Sequence, residues 1–242
     1  MQFIDIHSHI LPQVDDGAKD VETSIKMLKM MSEQGVTDVI ATPHFYPTED
    51  NVDEYLSRVA NAQRQLESAM ANNSLPKIHI GCELHYFSGI GKSQELSRFT
   101  IADTNYILLE LPYGVTIDRG ILKDIKLMCE NFGLIPIIAH IERYSSQKGF
   151  KKLLRLISSG EVLAHINAAA LLSRAQGRTC EKLLKKGYIS FIASDAHSPD
   201  KRPPLTGDAM EYIRIKMGSR YADTLLMNHT KLLMKIEGKN EE

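Results

Sequence analysis

The stretch Asp5-Ile6-His7-Ser8-His9 decides the fold and the chemistry that the sequence predicts. From Phe3 to His7 the chain is apolar with one acid between, which predicts a buried β-strand that carries two histidines to its C-terminal end. Residues two apart in a strand face the same way, so we expect the imidazoles of His7 and His9 to lie close enough to share a cation. Taken alone, the pair fits two ordinary polar residues at a strand end equally well, and the rest of the chain decides between these interpretations.

The length and composition indicate one domain over residues 1–242. The chain has 242 residues and 43% hydrophobic content, enough for one large α/β core. Its formal net charge of -1 argues against binding to nucleic acid or to an anionic membrane. Its apolar runs are too short to insert into a membrane, and a strand is predicted where a signal peptide would lie. The three widely spaced cysteines favour reduced thiols, so we expect a cytoplasmic protein.

Seven strand-like segments alternate with helical segments along the whole chain. Each strand is mostly apolar, and the segments between them carry apolar residues at helical spacing. This alternation predicts a parallel sheet covered by helices. The predicted strands are residues 3–7, 36–42, 78–83, 106–111, 134–141, 162–167 and 188–195.

Side chains that can bind metals occur where these strands end. In a closed β/α barrel the strand ends converge on one face, whereas an open sheet would spread them along a line. Seven strands are unusual for a regular barrel, so we expect a distorted seven-stranded (β/α)7 barrel of the TIM type. With one acid from the first loop, the candidate metal ligands are His7, His9, Asp16, His44, Glu83, Glu110, His140, Asp195 and His197.

Nine candidate ligands exceed the needs of one ion and suit two or three ions that share a bridging carboxylate. Glu110 is the predicted bridge, because its strand is otherwise apolar and a carboxylate buried there needs a strong cationic partner. His165 alternates with Asn167 on one strand face, and we interpret it as a satisfied interior histidine. His85 can contact a substrate but is not needed as a ligand.

The motifs resemble those of the polymerase-and-histidinol-phosphatase (PHP) family of metallophosphoesterases over nearly the whole chain. The most similar members are the bacterial PHP-type protein-tyrosine phosphatases that are encoded with capsule and exopolysaccharide genes. The motifs that carry the family resemblance are Asp5 to His9, Thr42-Pro43-His44, Gly81-Cys82-Glu83, Ala139-His140 and Ser194-Asp195-Ala196-His197. The tyrosine phosphatases are also similar in residues 14–17 (VDDG), 139–144 (AHIERY), 192–195 (IASD) and 202–204 (RPP).

This resemblance implies a trinuclear metal site formed by the nine candidate ligands, with manganese often the active ion. Histidine and carboxylate ligands also accept iron, zinc and cobalt. The resemblance further implies that Arg143 and Arg202 contact phosphate, which agrees with their positions shortly after two candidate ligands. The implied reaction is hydrolysis of phosphotyrosine in a protein, namely the tyrosine-rich tail of a bacterial tyrosine kinase that controls polysaccharide export.

Two alternatives remain open from the sequence. The first is a phosphomonoesterase for small molecules, similar to histidinol phosphatase, or a phosphodiesterase or exonuclease, although the near-neutral charge argues against a nuclease. The second is a regulatory barrel that binds metal without turnover, against which the intact ligand set argues. The chain lacks a cysteine followed by an arginine six positions later, so a cysteine-based tyrosine phosphatase is excluded.

Overall fold

The computed structural model describes residues 3–71 and 74–238, and these ranges contain nine strands and eight α-helices. The strands are β1 (Phe3–Ser8), β2 (Val36–Ala41), β3 (His44–Phe45), β4 (Lys77–Ile80), β5 (Glu83–His85), β6 (Tyr106–Glu110), β7 (Ile135–Ile138), β8 (Leu163–Asn167) and β9 (Phe191–Ala193). The helices are α1 (Val21–Glu33), α2 (Val52–Met70), α3 (Arg119–Phe132), α4 (Phe150–Ile157), α5 (Ala168–Leu172), α6 (Gly177–Lys185), α7 (Thr206–Tyr212) and α8 (Ser219–Ile236). Short 3₁₀ turns lie at Ile90–Lys92, Leu96–Phe99, Ile101–Asp103 and Ile141–Tyr144, and a π-helical turn, Ile213–Met217, joins the last two helices.

All strand pairs in the described residues are parallel, which confirms the predicted α/β class. They form a three-stranded sheet in the order β1-β2-β4 and a six-stranded sheet in the order β3-β5-β6-β7-β8-β9. Further backbone hydrogen bonds connect β1 to the segment after β9. The N–H of Asp195 donates to the carbonyl of His7 at 2.9 Å, and the N–H of His9 donates to that of Ala196 at 2.8 Å. The end of β1 is therefore fixed to the far edge of the larger sheet.

The structure has nine strands because a short extra strand follows the second predicted strand and because the third predicted strand is interrupted. Pairing of the predicted second strand stops at Ala41 and resumes at β3 after Pro43, which has no N–H to donate to a neighbouring strand. The predicted third strand is divided between β4 and β5 by Gly81 and Cys82. A Cβ atom at Gly81 would lie 3.1 Å from the Ile40 side chain, so neighbouring side chains pack closely against the backbone at this interruption. A continuous seven-stranded sheet is thus not observed.

Residues typical of helix ends bound several of the helices, and their apolar faces cover the sheets. The side chain of Asp20 accepts a hydrogen bond from the N–H of Thr23 at 2.8 Å and caps α1. Helix α3 ends at Gly133, whose φ of 64° is the left-handed conformation that favours glycine. Leu108 packs in a smaller core with Leu232 of α8, whereas Leu109 packs in the main core. Both faces of the strands are therefore buried against apolar residues, and the polar side chains that could bind a ligand lie at the strand ends.

Candidate metal centre

The nine side chains predicted as metal ligands lie in one cluster. His140 joins it through its Nε2, which lies 2.9 Å from Oε1 of Glu83 and 3.4 Å from Oε1 of Glu110. The remaining side chains form three overlapping groups whose ligand atoms lie within 4.8 Å of one another. These groups are His7, His9 and Asp195; His9, Asp16, His44 and His197; and His44, Glu83 and Glu110. Because the groups share members, residues from both ends of the chain meet at one place.

Glu83 is the central carboxylate of this cluster. Its side chain is buried, and its Oε2 lies 3.0 Å from Nδ1 of His44, 3.2 Å from Nε2 of His7 and 3.4 Å from Nε2 of His9. Glu110, the predicted bridge, is 16% exposed compared with 1% for Glu83. The geometry therefore makes Glu83 the better placed of the two carboxylates to bridge cations.

Several buried polar atoms of the cluster have no hydrogen-bond partner among the described residues. They include Oε2 of Glu83, Nδ1 of His44 and Nε2 of His197. Leaving such atoms unpaired in the interior is costly, although neighbouring polar atoms lie only 3.0–3.4 Å from that glutamate oxygen. Converging imidazole nitrogens and carboxylate oxygens are the atoms that divalent transition metals coordinate. The residues present therefore fit a metal centre.

Two buried carboxylates of the cluster, Glu83 and Asp195, are held in their ionised form. Burial raises the pKa of Glu83, but the charge of His7 and a hydrogen bond from His140 outweigh burial. The pKa of Glu83 therefore lies well below its usual range. Burial likewise raises the pKa of Asp195, and the charge of His7 and a hydrogen bond from His9 more than offset it. Since metals bind the deprotonated carboxylate, both groups are in the form that a cation requires.

Asp15, which the sequence analysis did not single out, orients two candidate ligands. Its Oδ2 accepts hydrogen bonds from Nδ1 of His9 at 2.6 Å and from the N–H of His44 at 3.0 Å, while its Oδ1 accepts from the N–H of Gly17 at 2.9 Å. Burial raises the pKa of Asp15, but the hydrogen bond from His9 lowers it to below its usual range. A carboxylate on the far nitrogen of a histidine is a common support for a metal ligand. The signal was the adjacent acid pair Asp15-Asp16, but the sequence does not reveal which acid faces inward.

His165 and Asn167 support the cluster from β8. Nε2 of His165 lies 2.9 Å from Nδ1 of His7 and accepts the N–H of His140 at 3.3 Å. Burial and the charges of these two histidines lower the pKa of His165 to well below its usual range, so it is neutral. Nδ2 of Asn167 donates to Oδ2 of Asp195 at 2.6 Å. The prediction that His165 is a satisfied interior histidine is confirmed only for Nε2, because its Nδ1 has no partner in the described residues.

Arg143 and Arg202 reach the cluster from two different loops. A terminal nitrogen of each guanidinium group lies 2.7 Å from Oδ2 of Asp195. Both side chains are about one-third or more exposed, and both line a cavity of about 250 Å³ beside the cluster. An anion that entered this cavity would therefore meet two positive charges next to the candidate metal ligands.

Aromatic and imidazole side chains surround the opening of the cluster. The ring of Tyr46 stacks on that of His44 at 5.1 Å between centroids and lies 5.6 Å from that of His85. Nδ1 of His85 lies 3.0 Å from Oε2 of Glu110. Tyr113 is 76% exposed and lines a second cavity, of about 380 Å³, next to Glu110. His85, which the sequence suggested as a substrate contact, thus lies at the opening together with two tyrosines.

Comparison with known proteins now identifies the family. Residues 3–235 match the family described as capsular polysaccharide synthesis, CpsB/CapC. The chain belongs to the CpsB/CapC family. This family protein is 29% identical over 250 residues to the tyrosine-protein phosphatase CpsB of Streptococcus agalactiae serotype III (strain NEM316), covering 96% of this chain and 98% of the relative. It is 30% identical over 244 residues to the tyrosine-protein phosphatase YwqE of Bacillus subtilis (strain 168), covering 95% and 91%.

The fold of this CpsB/CapC protein also matches solved structures of its relatives. The crystal structures of YwqE from Bacillus subtilis and CpsB from Streptococcus pneumoniae, described as unique metal-dependent tyrosine phosphatases, provide a match with a TM-score of 0.82 at 27% identity. The match covers 99% of this chain and 96% of the other. The predicted resemblance to PHP-type tyrosine phosphatases of capsule gene clusters is therefore confirmed. Among the described residues, no helix has the length and apolar character to cross a membrane.

Proposed function

We propose that this chain is a metal-dependent phosphomonoesterase that hydrolyses phosphotyrosine in proteins. One observation carries the proposal: five imidazoles and four carboxylates converge at one place, where Arg143 and Arg202 contact the same carboxylate. Metal-binding groups beside paired guanidinium groups suit a phosphate ester better than an uncharged substrate. The names of the relatives and the metal dependence of the matched structures support the same activity.

The nine clustered side chains hold two or three divalent cations in this proposal, with Glu83 rather than Glu110 as the central bridge. Manganese is the proposed ion, and iron, zinc and cobalt suit the same ligands. Bound cations supply Lewis acidity, which activates a water as the nucleophile and neutralises charge on the phosphate. Asp15 holds His9 in place, and neutral His165 fixes the orientation of His7.

The two arginines bind and orient the phosphate group. Arg143 and Arg202 share one oxygen of Asp195, so an incoming phosphate can take over N–H groups that lie side by side at the cavity. Their positive charges stabilise the negative charge on the phosphate oxygens during transfer. A phenolate, with a pKa of about 10, leaves without strong assistance from an acid. Tyr46 and Tyr113 flank the substrate ring at the opening.

The proposed architecture is a single domain with a distorted seven-stranded barrel. Its support is that β2 pairs in parallel with β4 and that β3 and β5, the strands that follow them, also pair in parallel. Backbone hydrogen bonds from Asp195 to His7 and from Glu83 to Pro43 connect β1 to the segment after β9 and β5 to the residue before β3. The proposed substrate is the tyrosine-rich tail of a bacterial tyrosine kinase in the cytoplasm. This partner rests on the link between the family and capsular polysaccharide synthesis.

A comparison of substrates and metals tests the proposal. Protein stripped of metal is reloaded with manganese, iron, zinc or cobalt and given a phosphotyrosyl peptide, histidinol phosphate or an aryl phosphate. We expect metal-dependent release of phosphate from the peptide, loss of turnover in His44→Ala, and retention of turnover in the matched control His79→Ala, whose side chain pairs with Asp38 outside the cluster. Preference for histidinol phosphate would favour a small-molecule phosphatase, and tight metal binding without any turnover would refute an enzyme.

A further inference from the structure

A basic groove lies between helices α3 and α4, away from the metal centre. Its volume is about 500 Å³, and five of the residues that line it are the exposed cations Arg119, Lys123, Lys126, Lys152 and Arg155. The same groove contains a single acid and two leucines. In a chain whose net charge is -1, this is a local concentration of positive charge on an otherwise balanced molecule.

The five cations of this groove have no anionic partners. Within residues 3–71 and 74–238, none of them forms an ion pair, whereas other exposed arginines, such as Arg98 and Arg214, do. Clustered like charges repel one another, and an anionic ligand would relieve this repulsion. Leu122 and Leu156 add apolar surface to the lining, which suits the side chains of a peptide better than a bare phosphate chain.

The segment that follows Glu110 leads along the chain from the metal centre to the groove. Helix α3 begins at Arg119, directly after the segment that follows Glu110, and Tyr113 of that segment lines a cavity next to the candidate ligands. The N–H of Ile117 in this segment donates to the carbonyl of Lys148 at 2.8 Å, just before α4 begins. This backbone hydrogen bond therefore joins the loops that precede α3 and α4.

We propose that this groove binds an acidic segment of the phosphotyrosyl protein while its phosphotyrosine occupies the metal centre. The inference rests on the proposed function and adds a substrate class to it: phosphotyrosine flanked at a distance by aspartate or glutamate. Lys123 and Lys126 are three residues apart on one helix face, about 4.5 Å along the axis, so a few extended acidic residues reach both. The groove raises affinity for the protein and leaves the chemistry at the metals unchanged.

Charge reversal in the groove provides the test. The variant K123E/K126E/R155E removes three cations. The matched control K29E/K182E/K186E makes the same charge change at exposed lysines in α1, in α6 and directly after α6. Both variants and the parent, each loaded with manganese, are assayed with an aryl phosphate, a phosphotyrosyl peptide carrying a run of glutamates, and the same peptide with serines in that run. A series of such peptides varies the number of residues between phosphotyrosine and the glutamates, so that one of them matches the distance from the metal centre to the groove.

We expect the groove variant to lose about tenfold in kcat/KM for the acidic peptide, mainly through KM, because each exposed pair contributes little alone. Turnover of the aryl phosphate and of the serine peptide should stay unchanged, and the control should match the parent. An equal loss in the control, an equal loss for the serine peptide, or no loss at all would overturn the inference. So would a loss of aryl phosphate turnover that the neutral variant K123Q/K126Q/R155Q reproduces, because the groove would then act on the metal centre itself.

A binding measurement separates this inference from the proposed function. Fluorescence anisotropy with a labelled acidic peptide that lacks phosphotyrosine reports on the groove without turnover. If the parent hydrolyses no aryl phosphate but binds this peptide through Lys123, Lys126 and Arg155, the phosphatase proposal fails and the groove remains. If single-stranded RNA binds as tightly through the same three residues, the acidic peptide is the wrong ligand.

Discussion

Replacement of Asp15 by asparagine is the most informative single change, because Asp15 touches the candidate ligands without belonging to them. Asparagine has the same shape, and with its carbonyl oxygen in the place of Oδ2 it can still accept from Nδ1 of His9 and from the N–H of His44, but its amide nitrogen cannot accept from the N–H of Gly17. It loses the negative charge of the carboxylate, which strengthens the 2.6 Å hydrogen bond that holds the imidazole of His9. A charge-assisted hydrogen bond contributes about 1.5–3 kcal/mol, compared with about 1 kcal/mol for a neutral one.

The difference between these two values predicts a loss of about 0.5–2 kcal/mol, or roughly 2- to 30-fold, in metal affinity, which overlaps the range of about 10- to 100-fold that is usual for groups supporting a metal ligand. Turnover of an aryl phosphate is followed while manganese is titrated into metal-free protein, and circular dichroism checks the fold. Asp15→Ala, which also loses the hydrogen bonds from His9 and from the N–H of His44, should lose more metal affinity than Asp15→Asn. Unchanged metal affinity in Asp15→Asn would refute the idea that this carboxylate holds His9 for a cation.

Three further predictions concern the centre and the core. Glu83→Gln should reduce kcat by more than about 100-fold, the upper end for supporting groups, while circular dichroism stays unchanged. Removal of metal by a chelator should lower the melting temperature by about 5–10 °C, compared with protein at a metal concentration about one hundred times Kd. Calorimetry measures both melting temperatures. Burial lowers the pKa of His229 from 6.5 to about 4, so the unfolded state binds the extra proton and stability falls by up to about 3 kcal/mol as pH drops from 6.5 towards 4. His229→Asn should therefore show a shallower loss in urea unfolding across this range, and equal slopes would contradict it.

Much of the candidate centre was predictable because its residues follow a simple geometric rule. Parallel strands end at the same side of a sheet, and because hydrogen bonds connect β1 to the segment after β9, the polar residues that follow the apolar runs lie near one another. His7, Glu110, His140 and Asp195 each occupy such a position, and the structure brings them together across most of the chain. The buried strands were equally clear from their apolar runs, because both of their faces pack against hydrophobic residues.

The features that escaped prediction depend on backbone details that no residue pattern records. Asp15 and Asp16 are chemically identical neighbours, and only the fold of the first loop decides that Asp15 turns towards His9. Glu83 was treated as one ligand among nine, because its central position results from the interruption between β4 and β5, which places it at the start of a new strand. Hydrophobic periodicity describes which face a residue occupies and is insensitive to a short break of this kind.

The backbone at two candidate ligands shows that the centre, rather than the strands, determines the local structure. His140 has a φ of 31° and Asp195 a φ of 51°, and each follows shortly after the end of a strand. Residues other than glycine adopt this left-handed conformation at a cost of about 1 kcal/mol or more, which glycine would avoid. Glycine, however, would remove the imidazole that lies 2.9 Å from Glu83 or the carboxylate that both arginines contact. Strain at two members of one cluster is consistent with selection for the ligand atoms over local stability, as expected of a site that binds cations and phosphate.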